Sequence, residues 1–135
     1  MAEGYFIHHL QKHPVNIDVS SAGISALVNY PAAEDAKQVM LKQGIDISKH
    51  LARQITTPLA QQADLILVMT QDHFNVVTRQ FPIVKGKTFL LGHWQGMEIP
   101  DPYMQPHEAF EKTYEKIALA GQAWRERILE CITAG

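Results

Sequence analysis

The heptapeptide EIPDPYM, residues 98–104, places one acidic residue, Asp101, between two prolines. Each proline ring fixes its own φ angle and restricts the preceding residue to extended conformations, so the backbone around Asp101 has little freedom. Asp and Pro are ordinary turn residues, and a surface turn is one interpretation of this segment. The other interpretation is a carboxyl group held in position to transfer a proton, as a general acid must be. The position of the segment in the fold bears on this choice.

Strand and helix patterns alternate along the chain. Three short apolar segments predict strands: VNIDVSSAGI at 15–24, which runs into a glycine-containing loop, DLILVM at 64–69 and KTFLLG at 87–92. Helices are predicted at 2–13, at 31–44 between a proline and a glycine, and at 70–81, where Thr70 is the expected N-cap. This alternation predicts an α/β domain with a short, mostly parallel sheet flanked by helices.

The C-terminal helix has the clearest pattern. Its apolar residues recur every three or four positions and form one stripe: Phe110, Tyr114, Ile117, Gly121, Trp124, Ile128 and Cys131. Cys131 is therefore predicted to be a structural thiol on this stripe.

The predicted sheet indicates where a ligand would bind. In parallel α/β sheets, ligands bind at the carboxyl ends of the strands. The loops that follow the three predicted strands are residues 20–31, 70–72 and 92–103, and Asp101 lies in the third of them. This topology favours a functional role for Asp101 over a simple turn.

Composition limits the class of protein. A chain of 135 residues with 46% hydrophobic residues suits a single domain over residues 1–135. A net charge of −2 gives no electrostatic footprint for nucleic acid, and the longest apolar run, LILVM at 65–69, is too short to enter a membrane as a span. The single cysteine excludes an internal disulfide and suits the reducing cytoplasm, where we expect this protein.

Other generic motifs give no support for cofactor or metal binding. There is no G-x-G-x-x-G sequence, and GKT at 86–88 lacks the glycine that a nucleotide-binding loop needs at position 81, which is Phe81. His9 and His13 are four residues apart on one helical face, but no third ligand is evident nearby, so we predict no metal site.

Four segments ahead of the long final helix carry a resemblance to a known family: SAGI at 21–24, GIDISKHLARQIT at 44–56, ADLILVMTQDH at 63–73 and GHWQGMEIPDPY at 92–103. Over nearly its whole length the chain resembles the low-molecular-weight protein-tyrosine-phosphatases. It is most similar to the bacterial branch associated with tyrosine kinases of capsule and exopolysaccharide export. The resemblance implies a three-layer fold in which a first central strand of the sheet is missing from this chain.

The resemblance also implies a reaction. Family members hydrolyse phosphotyrosine in proteins through a phosphocysteine intermediate, without a metal or other cofactor. The aspartate of their Asp-Pro-Tyr sequence is the general acid and then the general base, and it corresponds to Asp101. The implied partner is a phosphotyrosine protein, such as an autophosphorylating tyrosine kinase.

Further site residues follow from the resemblance alone. Tyr103 matches an aromatic residue that lines the family's substrate crevice, and Leu27 stands where many eukaryotic members carry an aromatic residue; ordinary loop packing is the alternative for both. Ser21 would brace the phosphate-binding loop by a hydrogen bond. Pro100 and Pro102 would support the general-acid loop.

The family's nucleophile loop, a cysteine followed after five residues by arginine and Ser or Thr, is absent from this sequence. The chain starts at MAEGYF, where the family's first helix is already under way, and Cys131 is followed by only four residues, none of them arginine. We therefore expect this chain to be inactive as it stands. The hypothesis we favour is a truncated phosphatase whose full-length form starts roughly fifteen residues earlier, enough for a strand, the loop and a link. The general-acid loop is intact, and a helix without a lead-in residue is an unusual start.

Two alternatives to truncation stay open. The chain could be a catalytically dead relative that binds a phosphorylated partner or nothing at all. An arsenate reductase on the same fold is less favoured, because it would need additional cysteines for its disulfide relay and only one is present.

Overall fold

The computed structural model describes residues 1–10, 17–25 and 28–134. The helices and strands are, in chain order, α1 (Ala2–Leu10), α2 (Glu34–Lys42), α3 (Thr57–Gln62), β1 (Ile66–Val68), α4 (Gln71–Gln80), a 3₁₀ helix (Pro82–Lys87), β2 (Thr88–Leu90), a second 3₁₀ helix (His93–Gln95) and α5 (His107–Ala134).

The sheet of the described residues consists of β1 and β2, which are parallel, with Ile66 opposite Thr88 and Val68 opposite Leu90. The crossover between them is α4, whose N-cap is Thr70: the Thr70 hydroxyl accepts a hydrogen bond from the His73 amide at 3.2 Å. The predicted strands at 64–69 and 87–92 and the predicted cap are confirmed.

The predicted strand at 15–24 is wrong where it can be compared. Residues 17–22 form no strand, and residues 15 and 16 lie outside the described part of the chain. A strand needs a neighbouring backbone to pair with. The side chains of Ile17 and Val19 pack against the core, but backbone pairing in this segment is confined to an isolated bridge between Gly23 and Gln54, where the Gly23 amide donates to the Arg53 carbonyl at 2.8 Å.

Helix α5 contributes buried residues to two separate clusters of the hydrophobic core. Phe110, Ile117 and Trp124 are buried, as the stripe predicts, and the Trp124 indole Nε1 donates to the Leu91 carbonyl at 2.8 Å, just after β2. Cys131 is exposed, so the prediction of a packed structural thiol is wrong. The helix is longer than the core beneath it, and Ile128 and Leu129 are the last of its described residues to pack there.

Helix α1 packs on α5 at very short range. Its residues Tyr5, Phe6 and Leu10 are buried, and the Tyr5 ring lies directly over Gly121 of α5. A Cβ atom added at Gly121 would lie 2.4 Å from Tyr5 Cε1. Because Gly121 has no side chain, the apolar stripe of α5 leaves room at this position for the ring of Tyr5. No helix in the described residues combines the length and the apolar character of a membrane span.

The close approach of Tyr5 makes Gly121→Ala a test of the α1–α5 packing. Overpacking a core costs about 1–3 kcal/mol, and the better helix propensity of alanine offsets up to about 1 kcal/mol of that. We expect a net loss of about 1–2 kcal/mol in the free energy of unfolding, measured by urea denaturation with tryptophan fluorescence. The control is Gly86→Ala, because a Cβ at Gly86 meets no atom within 4 Å. If Gly121→Ala were as stable as this control, the Tyr5 ring would not lie against Gly121.

Candidate active site

The loop that carries Asp101 is anchored to the carboxyl end of β1. The Ile99 amide donates to the Met69 carbonyl at 2.9 Å, and the Ile99 side chain is only 2% exposed. On the other side of Asp101, Pro102 is buried, while Pro100 is exposed. The backbone is therefore held on both sides of the carboxylate, in line with the stiffness that the two prolines predict.

The carboxylate of Asp101 is exposed and oriented by its own loop. Its Oδ1 atom accepts a hydrogen bond from the Tyr103 amide at 3.0 Å, the arrangement of an Asx turn. Among the described residues no group donates to Oδ2. The turn interpretation and the functional one are thus compatible, because one oxygen holds the turn and the other is left to meet a substrate or water.

A cleft of about 650 Å³ brings Asp101 together with the start of α1 and the loop that follows α2. We call it the candidate active-site cleft. Its lining includes Met1, Glu3, Ser21, His50 and Asp101. The described residues contain no group of three or more His, Cys, Asp or Glu side chains placed to hold a metal ion.

Asp101 and the first residue of the chain line the same cleft. Burial lowers the pKa of the Met1 amino group below its ordinary value, and the carboxylates of Glu3 and Asp101 oppose that shift by favouring the charged amine. The first turn of α1, where the Tyr5 amide donates to the Met1 carbonyl at 3.0 Å, therefore begins beside the general-acid candidate.

A polar network ties the first turn of α1 to the other loops. The Ser21 hydroxyl donates a short hydrogen bond to Glu3 Oε2, and Glu3 Oε1 lies 3.6 Å from His50 Nδ1. The Ser21 carbonyl accepts a hydrogen bond from Arg53 Nε at 3.0 Å. Ser21 thus links α1 to the segment that carries His50 and Arg53.

The structure places most of the predicted site residues together. Ser21, Pro100, Asp101 and Pro102 all line the candidate active-site cleft. Tyr103 is not part of this lining and is 61% exposed, so its role as a crevice wall stays a prediction. Leu27 lies outside the described residues.

Glu3 and His50 line the cleft without having been predicted from the sequence. Glu3 lies in the first turn of a predicted helix, and His50 lies in a segment without regular structure, so no local pattern connects them. The only available signal was the position of His50 within the segment at 44–56 that carries the family resemblance.

Comparisons with known proteins agree on one family. The sequence profile of the low molecular weight phosphotyrosine protein phosphatases matches residues 1–131. The chain is 42% identical over 118 residues to the low molecular weight protein-tyrosine-phosphatase Ptp of Acinetobacter johnsonii, which is 87% of this chain and 82% of that protein. It is 39% identical over 120 residues to Etp of Escherichia coli strain K12, covering 88% of this chain and 81% of that protein.

The fold gives the same result. The solved structure of Vibrio vulnificus Wzb in complex with benzylphosphonate superposes with a TM-score of 0.87 at 39% identity, covering 93% of this chain and 87% of that one. The predicted α/β architecture is thereby confirmed at the level of the family fold. The chain belongs to the low molecular weight phosphotyrosine protein phosphatase family.

Proposed function

We propose that the full-length protein hydrolyses phosphotyrosine in protein substrates, with Asp101 as the general acid and then the general base. The observation that carries the proposal is the position of Asp101 in a cleft of about 650 Å³ that also contains the first residues of α1. In the family pattern, the nucleophile loop leads into this helix. A thiolate on such a loop would stand beside Asp101.

The nucleophile itself is not among the 135 residues. The single cysteine, Cys131, is exposed on α5 and does not line the cleft. We propose that the cysteine and the phosphate-binding arginine belong to a Cys-x5-Arg loop joined ahead of Met1, preceded by a strand that would join the sheet beside β1. The chain as it stands would then be inactive.

The reaction has two steps. The thiolate attacks phosphorus, the bond from phosphorus to the tyrosine oxygen breaks, and the departing oxygen takes the proton of Asp101. The Asp101 carboxylate then accepts a proton from water, whose oxygen attacks phosphorus as the bond from phosphorus to sulfur breaks and the thiolate leaves. Loop amides and the loop arginine would neutralise the phosphate, so these steps require no cofactor.

The observed geometry suits Asp101 for this role. The Tyr103 amide holds Oδ1, which leaves Oδ2 to meet the substrate oxygen. The hydrogen bond from the Ile99 amide to the Met69 carbonyl and the burial of Pro102 restrict the movement of the loop. Such positioning is a large part of proton-transfer catalysis. Ser21, bonded to Glu3, would support the loop that leads into α1.

The substrate side of the proposal rests on the resemblance. Tyr103 and Leu27 would flank the phenyl ring, and the partner would be an autophosphorylating tyrosine kinase encountered in the cytoplasm. A second candidate function is a phosphatase-like domain that binds a phosphorylated protein without hydrolysing it. The exposed position of Cys131, away from the cleft, favours that alternative for the chain as it stands.

The 135-residue chain should not hydrolyse p-nitrophenyl phosphate above the buffer rate. The physical reason is that no thiolate lies in the cleft, and the thiolate is the attacking group. Phosphate release over several hours measures this directly, with Cys131→Ser as the matched variant. Turnover that Cys131→Ser abolishes would contradict the assignment of the cleft.

In a chain extended at Met1 by a strand and a Cys-x5-Arg loop, Asp101→Asn should lower kcat by about 10²–10⁴. The loss should be larger on a phosphotyrosine peptide than on p-nitrophenyl phosphate, because the tyrosine phenolate, with a pKa of about 10, leaves poorly without a proton. The control is Asp64→Asn, an aspartate outside the cleft. Pro100→Ala with Pro102→Ala should cost less than Asp101→Asn, because the carboxyl group remains.

Single-turnover measurement of phosphocysteine formation isolates the first step of this reaction. Equal losses on the two substrates would show that Asp101 does not protonate the leaving group.

A further inference from the structure

A second, smaller cleft of about 290 Å³ adjoins the candidate active-site cleft. The two share Glu3, Ser21, Lys49 and His50 in their linings, so they open into the same region of the surface. The smaller cleft adds Arg53 and is mostly polar; we call it the Arg53 cleft.

The charges around the Arg53 cleft are unbalanced. Its lining has two permanent cations, Lys49 and Arg53, against one carboxylate, Glu3. Glu3 is already engaged, since it accepts a hydrogen bond from Ser21 and faces His50 at 3.6 Å. Within the part of the chain that the structure describes, no carboxylate pairs with Arg53.

Lys49 lines both clefts and also acts on an acid outside the Arg53 cleft. The pKa of the nearby Asp46 carboxyl is lowered, chiefly by hydrogen bonds from Ser48 and in smaller part by the charge of Lys49. Part of the electrostatic effect of Lys49 therefore falls on Asp46, which is exposed and does not line the Arg53 cleft. Arg53 is the group that distinguishes this cleft.

The side chain of Arg53 is held in place before any ligand arrives. Its Nε donates to the Ser21 carbonyl at 3.0 Å, and its own carbonyl accepts a hydrogen bond from the Gly23 amide at 2.8 Å. A guanidinium has five N–H donors, and only one of them has a partner among the described residues. The terminal nitrogens can meet the two oxygens of a carboxylate or a phosphate at once.

We propose that the Arg53 cleft binds a second anionic side chain of the protein substrate, within a few residues of the phosphotyrosine that occupies the candidate active-site cleft. The ligand chemistry is a carboxylate of Asp or Glu or the phosphate of a second phosphotyrosine. Because the two clefts share four lining residues, an extended peptide at about 3.3 Å per residue spans them in a few steps. This inference rests on the proposed function for its choice of substrate.

The test is the binding of three peptides of equal length to the 135-residue chain, followed by amide chemical shifts. One peptide carries a single phosphotyrosine with neutral flanks, the second adds glutamates beside it, and the third adds a second phosphotyrosine. We expect the second or third peptide to bind about three- to tenfold more tightly than the first, a range suited to an exposed charge-assisted contact. The largest added shifts should occur at Ser21, Gly23 and Arg53.

Variants separate charge from structure. Arg53→Gln keeps an amide donor for the Ser21 carbonyl but loses the charge, and it should remove the advantage of the anionic peptides. Arg53→Lys keeps the charge without the planar fork and should retain part of the advantage. Arg79→Ala is the control, because Arg79 is exposed in the last turn of α4 and lines neither cleft. Higher salt should reduce the advantage in the unmodified chain.

The peptides also identify the source of the anion. An advantage confined to the glutamate peptide assigns the cleft to carboxylates, and one confined to the doubly phosphorylated peptide assigns it to phosphate. Equal affinity for all three peptides, an advantage that survives Arg53→Gln, or no shift at Arg53 with any peptide would overturn the inference. The readout is binding to a chain without turnover, so a failure of Asp101 as the general acid would leave this result unchanged.

Discussion

The hydrogen bond from the Ile99 amide to the Met69 carbonyl ties the loop after β2 to the carboxyl end of β1. The burial of the Ile99 side chain reinforces it, since fully burying such a side chain stabilises a fold by about 1.5–3 kcal/mol. One position earlier, Glu98 accepts a long hydrogen bond of 3.4 Å from the Gln71 amide at the start of α4. Asp101 lies two residues after Ile99, so this anchor fixes the position of its backbone.

The other half of the site depends on where α1 begins. The buried residues Tyr5, Phe6 and Leu10 fix the helix against α5, and that packing leaves Glu3 on the side of the cleft. Glu3 then connects Ser21 with His50, so one carboxylate joins three separate segments. The core packing of α1 therefore sets the geometry of the polar contacts that Glu3 makes.

Local patterns were sufficient for much of the fold. The cap of α4, the apolar period of α5 and the two short strands are properties of neighbouring residues, and they appear where the sequence predicts them. The strand predicted at 15–24 was wrong for residues 17–22 because a strand depends on a partner elsewhere in the chain. Helical periodicity predicts on which face of α5 Cys131 lies. It does not predict how far along the helix the core extends, and Cys131 is exposed. Asp101 was favoured by topology, whereas its chemical role came from the resemblance, and the contact of Glu3 with His50 had no local signal.

Hydrogen exchange at the Ile99 amide is the decisive measurement, because proton transfer by Asp101 requires that the backbone next to its carboxylate be rigid. The Leu91 amide, which donates to the Val68 carbonyl at 2.8 Å, is the core reference, and the amide of Met104, whose side chain is 83% exposed, is the loop reference. We expect Ile99 to exchange as slowly as Leu91 and far more slowly than Met104. Exchange of Ile99 at the rate of Met104 would show that the loop is not anchored, and the placement of Asp101 would then lose its physical basis.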